Sequence, residues 1–168
     1  MAKIEDYKGF EIIFLTDVEQ FKIYSDLEDE NKKFDKLSIA KKYIDNLIKS
    51  KEINDMRDIC YNDSLLAGWH TNIITGELKE RNKAEMICLI HSELSEAMEG
   101  ERKNLMDDHL PNRPMAEVEM ADAVIRIMDY CGRWGYDIGG AVMEKLEYNA
   151  NRADHKIENR IKENGKAF

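Results

Sequence analysis

Hydrophobic and polar positions fall into two textures along this chain. In the first fifty residues the apolar residues come as short β-branched and aromatic runs. "GFEIIFLT" (Gly9–Thr16) and "FKIYS" (Phe21–Ser25) are separated by the polar "DVEQ", a pattern that predicts a β-hairpin. A third short strand fits near Lys32–Phe34. Asp35 is then the expected cap of a helix carrying Leu37, Ala40, Tyr43, Ile44, Leu47 and Ile48, which share one helical face. Residues 1–52 thus read as a small β-β-(β)-α unit without evident chemistry.

From Ile53 onward the period is helical. The pattern predicts a helix over about Asn54–Ala67, a loop "GWHTNIITGE", and a long helix over about Lys83–Lys103. "DDHLPNRP", which holds both prolines of the chain, breaks that helix. A further helix follows over about Met115–Trp134, and Asp137 is positioned to cap a last one from Ile138 to about Ile161. The fold class is mainly α: a four-helix core over residues 53–168, with the small β-containing unit in front of it.

Composition narrows the function. The chain has 168 residues, 43% hydrophobic and 35% charged, with a formal net charge of −9. That charge argues against non-specific nucleic-acid binding, which needs a basic surface to displace counterions. It leaves room for a small anionic substrate, because a bound cation reverses the local field. "MAKIEDYKGF" has no apolar signal core and no stretch is long enough to span a bilayer, so a cytoplasmic location is expected. Cys60, Cys88 and Cys131 lack metal-ligand spacing and read as buried free thiols.

The carboxylates change the picture most. On the Lys83–Lys103 helix, Met86, Leu89, Glu93, Glu96 and Gly100 step by three and four, so two acids continue a core-facing stripe. On the next helix Val118, Asp122 and Ile125 share a stripe, with Glu119 beside it and Asp129 two turns beyond Asp122. Acids meeting between packed helices repel one another and cost several kcal/mol each to bury. Water, basic partners or a divalent cation would relieve that cost. Two pairs on two apolar stripes favour the cation. Oxygen-only ligands suit Mg2+, or Mn2+, rather than zinc. On the last helix Lys145, Asn149 and Arg152 also step by four and three. They read either as a solvated basic edge or, with a metal nearby, as a polyphosphate clamp.

As a set these motifs resemble a known family. "ELSE", a gap of 22 residues and "EMAD" match the E-x-x-E … E-x-x-D signature of the MazG-like all-α nucleoside triphosphate pyrophosphohydrolases, and "KLEYNANR" resembles the K-x-x-x-N-x-x-R segment of their following helix. "GWH" at Gly68–His70 resembles a recurrent Gly-Trp segment. The resemblance covers roughly Ile53–Arg160. It implies Mg2+-dependent hydrolysis of a nucleoside triphosphate to the monophosphate and pyrophosphate, with Glu93, Glu96, Glu119 and Asp122 on the metal. Lys145, Asn149 and Arg152 would then contact phosphate or sugar, and the chain would form a homodimer or homotetramer. Trp69 either stacks on a base or packs at a helix end. Two other readings stand beside this one. One is a non-enzymatic helical interaction module. The other is phosphoribosyl-ATP pyrophosphohydrolase, within the same superfamily.

Overall fold

A computed structural model describes residues 2–24 and 32–162. The protein is mainly helical, with a small antiparallel sheet at its N-terminal end. It divides into two compact units: Met1–Lys51 together with Val142–Phe168, and Glu52–Ala141.

In the first unit four antiparallel strands lie in sequential order: β1 (Ala2–Tyr7), β2 (Phe10–Leu15), β3 (Gln20–Tyr24) and β4 (Lys33–Phe34). The expected hairpin is β2–β3, with Ile12 opposite Ile23 and Phe14 opposite Phe21. The expected end of β3 at Ser25 lies outside the described residues. Strand β1 was not anticipated. It is an edge strand with a largely polar sequence whose Ile4 is exposed, so it lacks the apolar alternation that marks a half-buried strand. Phe10, Ile12, Ile23 and Phe34 pack on Ala40 and Ile44 of α1 (Leu37–Leu66), while Leu37, Tyr43, Leu47 and Ile48 flank them. That face of α1 is the one its sequence spacing predicts. Asp35 does not start the helix in the way expected: its carboxylate accepts from Gln20 Nε2 at 3.0 Å. The Lys36 carbonyl takes the first helical hydrogen bonds, from Ile39 and Ala40.

Helix α1 runs unbroken for 30 residues, through the expected boundary near Ile53. "KSKEIND" contains neither glycine nor proline, so nothing in it stops the helix. In the second unit the later turns of α1 are tied to the end of α3 (Met115–Arg133) and the start of α4 (Ile138–Asn151). Arg57 Nη1 donates to the Tyr136 carbonyl at 2.8 Å, and Asn54 Nδ2 donates to Asp137 Oδ1 at 2.8 Å. Asp137 also caps α4 as expected, accepting from Gly140 N at 2.8 Å. Helix α4 ends at Asn151 rather than near Ile161: Arg152 is extended, and its guanidinium grips Asp154 two residues on, at 2.6 and 2.9 Å. A short 3-10 turn and α5 (Ile157–Arg160) follow.

The centre of the second unit is an antiparallel pair, α2 (Lys83–Lys103) and α3, at the limits the sequence predicts. Asn82 caps α2 by accepting from Ala84 N at 2.9 Å and Glu85 N at 3.3 Å, and Asn104 closes it in the left-handed conformation. The buried line of α2 is Met86, Glu93, Ala97 and Gly100; that of α3 is Ala116, Glu119, Ala123 and Cys131. Small residues dominate this seam, so the backbones come close. A Cβ on Gly100 would stand 3.0 Å from Ala116 N. Cys60 and Cys131 are buried as expected, but Cys88 is exposed. Among the described residues no helix is long and apolar enough to cross a membrane.

Candidate functional site

Midway along the α2–α3 seam the small residues give way to acids. Glu93 and Glu119 are buried and Asp122 is half-buried, and one carboxylate oxygen from each lies within 4.8 Å of the others. Three of the four expected ligands therefore meet. Glu96 does not join them: it is exposed and outside the set. The cause is helix geometry. The residue one turn after Glu93 that keeps to the seam is Ala97, four on, whereas Glu96 rotates to the rim. Helix α3 is rotated in a similar way. Glu119 lies on the buried line and Asp122 beside it, while Ile125, expected on the core stripe, is 46% exposed.

The electrostatics match the geometry. Burial pushes the Glu119 carboxyl above its ordinary range; the charge of Glu96, a side-chain hydrogen bond with Glu93, and the charges of Glu93 and Asp122 push it the same way. Arg126 answers part of this repulsion, donating from Nε to Glu93 Oε1 at 2.6 Å. Sequence spacing could have found this arginine, since it lies seven residues after Glu119 and four after Asp122 on the same helix.

A cleft of about 590 Å3 opens beside the acids. Met86 and Leu89 of α2 and Ile125 of α3 give it an apolar wall; Asp122, Arg126 and Asp129 line the α3 side; Trp69 and Arg81 come from the connection between α1 and α2. Trp69 is 66% exposed, an indole facing the cleft rather than a buried packing residue. Its backbone carbonyl accepts from Arg81 Nη1 at 2.8 Å, which ties the Arg81 side chain to this stretch of the connection.

The connection is anchored by the last residue of the Gly68–His70 segment, to which spacing alone gave no role. His70 is fully buried, its Nε2 lies 2.6 Å from Asp129 Oδ1, and its ring meets that of Tyr61 at 5.3 Å between centroids. Asp129 thus serves His70 rather than extending the acid cluster. His91, next to the acidic stripe in sequence, is exposed.

The expected phosphate clamp belongs to the other compact unit. There Lys145 lies over the Tyr148 ring at 4.6 Å, Arg152 is engaged by Asp154, and Asn149 is half-buried.

The donor set fits a hard divalent cation. It offers only oxygens, two of them from buried carboxylates, with one carboxyl pushed above its ordinary range by burial and by the neighbouring carboxylates. Compared with family models, with curated proteins and with solved structures, the chain gives no match. What the cleft can do follows from its own geometry.

Proposed function

We propose that this protein is a Mg2+-dependent nucleoside triphosphate pyrophosphohydrolase of the MazG-like, all-α type, releasing the monophosphate and pyrophosphate. The observation that carries the reading is the convergence of Glu93, Glu119 and Asp122 beside a cleft that Asp122 lines together with Trp69, Arg81 and Arg126. Glu93, Glu119 and Asp122 would hold the cation. Bound there, Mg2+ supplies Lewis acidity, neutralising phosphate charge and making an attacking water more acidic. Glu96, exposed and outside the ligand set, would be the carboxylate left to act as a base toward that water. The Trp69 indole offers a stacking surface for a base, and the Arg81 and Arg126 guanidiniums suit phosphate oxygens. Lys145, Asn149 and Arg152 remain candidates for further phosphate contacts.

The same reading includes a homo-oligomer. Large apolar side chains of the α2–α3 pair point away from its seam: Leu94 is 40%, Met98 65%, Met120 52%, Val124 48% and Ile127 37% exposed. A second copy of the pair would cover this stripe.

The test is pyrophosphate release from a panel of canonical, deoxy and modified triphosphates, with phosphoribosyl-ATP included, at millimolar Mg2+. Glu93→Gln and Asp122→Asn should abolish turnover. Lys145→Ala should act chiefly on KM or transition-state binding, a loss of about 2–4 kcal/mol if it is a preorganised donor. Acid variants that keep full activity, or a wild-type chain indifferent to divalent cations, would favour the interaction-module reading instead.

A further inference from the structure

Arg126 stands between two anionic settings. Its Nε holds Glu93 Oε1 at 2.6 Å, yet its side chain is 43% exposed and lines the cleft beside Asp122. The Glu93 side chain is only 8% exposed, so this guanidinium supplies the positive charge that makes a buried carboxylate tolerable. A divalent cation on Glu93, Glu119 and Asp122 would supply the same charge to the same carboxylate. Two cations crowded on one carboxylate repel each other, so the two modes compete.

We propose that Arg126 is an exchangeable counter-ion. Without metal it neutralises Glu93. When a divalent cation binds the three acids, Arg126 leaves Glu93 and presents its guanidinium to the cleft, where it binds the phosphates of a nucleotide. The inference rests on the metal reading given above. Arginine suits both positions, because its planar fork pairs with carboxylate and phosphate alike and its long side chain can swing between them without backbone movement. Three consequences follow. Glu93 is never left buried without a positive partner. Metal binding is opposed by Arg126. Tight nucleotide binding requires the metal first, since only then is the guanidinium released.

Binding measurements on the full chain test this without turnover. Mn2+ affinity is measured by calorimetry with no nucleotide present. The affinity for a non-hydrolysable triphosphate is then measured at saturating Mn2+ and again with chelator. Arg126→Gln removes the competitor, so it should bind Mn2+ about three- to tenfold more tightly than wild type. It should bind the analogue about tenfold or more weakly at saturating Mn2+, and the strong Mn2+ dependence of analogue binding should be blunted. Arg126→Lys keeps the charge without the fork. It should match wild type in Mn2+ affinity within about twofold while recovering only part of the analogue affinity. If Arg126→Gln fails to fold, the lysine variant decides: analogue affinity equal to wild type would overturn the proposal. Unchanged or weaker Mn2+ binding in a folded Arg126→Gln would also overturn it, showing that the arginine supports the metal-loaded site or takes no part in it. A wild-type chain that binds no Mn2+ would instead remove the metal reading itself, and the exchange with it.

Discussion

Replacing Glu119 by glutamine should make the metal-free protein more stable and make its stability insensitive to added cation. The glutamine keeps the volume and removes one of three charges whose oxygens lie within 4.8 Å of one another. At that separation one pair of unit charges repels by about 0.9 kcal/mol at the dielectric constant of water and about 3.5 kcal/mol at an effective value of 20. Arg126 offsets part of this at Glu93, and Glu119 relieves part by holding its proton to higher pH. A net gain of about 1–3 kcal/mol at neutral pH is therefore expected. The sign with pH is fixed by the raised carboxyl. In the wild type the neutral form is favoured by folding, so that contribution is present at low pH and is lost as pH rises through the folded-state value of Glu119. The variant lacks the titration, so the gap between the two proteins should be near zero in acid and widen toward neutrality. Urea unfolding from pH 4 to 8 with chelator present measures it. Millimolar Mn2+ should then stabilise the wild type, by about 2.7 kcal/mol at a hundredfold excess over Kd, and leave the variant nearly unmoved. A variant that is less stable than wild type at pH 8, or that shows the same pH slope, would refute the charge-cluster reasoning.

Other perturbations probe the frame around the site. His70→Ala should cost about 2–4 kcal/mol in urea unfolding, because it empties a fully buried position and strips Asp129 of its partner, and it should raise proteolytic cutting in the connection that carries Trp69. Gly132→Ala should destabilise by about 1–3 kcal/mol in thermal or urea unfolding, since a Cβ there would collide with Tyr61 Cβ and lie 3.0 Å from its Cγ. Ile44→Ala, at a fully buried position under the sheet, should cost about 2–5 kcal/mol by the same measurements. Met98→Glu should lower the mass seen by light scattering if the outward apolar stripe of α2 and α3 joins two copies, and leave it unchanged if the stripe does not.

Local rules in the sequence determined much of this protein. The 3.6-residue period and the proline-bearing break between them set the limits of α2 and α3. Asp137 announced the start of α4, and the apolar runs announced β2 and β3. The acid pairs were visible because their three-residue spacing is itself local. Other features depend on distant partners and could not be read that way. Edge strand β1 depends on pairing with β2, and the end of α4 on the competition of Asp154 for Arg152. The seam of α2 and α3 was the least legible part. The apolar stripe that spacing suggests on α3 runs through Val118 and Ile125, yet Val118 is only half-buried and Ile125 is exposed. The helices instead meet through Ala97, Gly100, Ala116 and Ala123, because close approach favours small side chains. That choice of face decided which acids converge. It turned Glu93 and Glu119 inward with Asp122 at their side, and it left Glu96 on the rim. It also brought Arg126 onto Glu93, 33 residues away in the chain. The sequence by itself determined that carboxylates are present at helical spacing. Only the packing of one helix on another determined which of them share a site, because that depends on the rotation of each helix about its own axis, and tertiary contact alone sets that rotation.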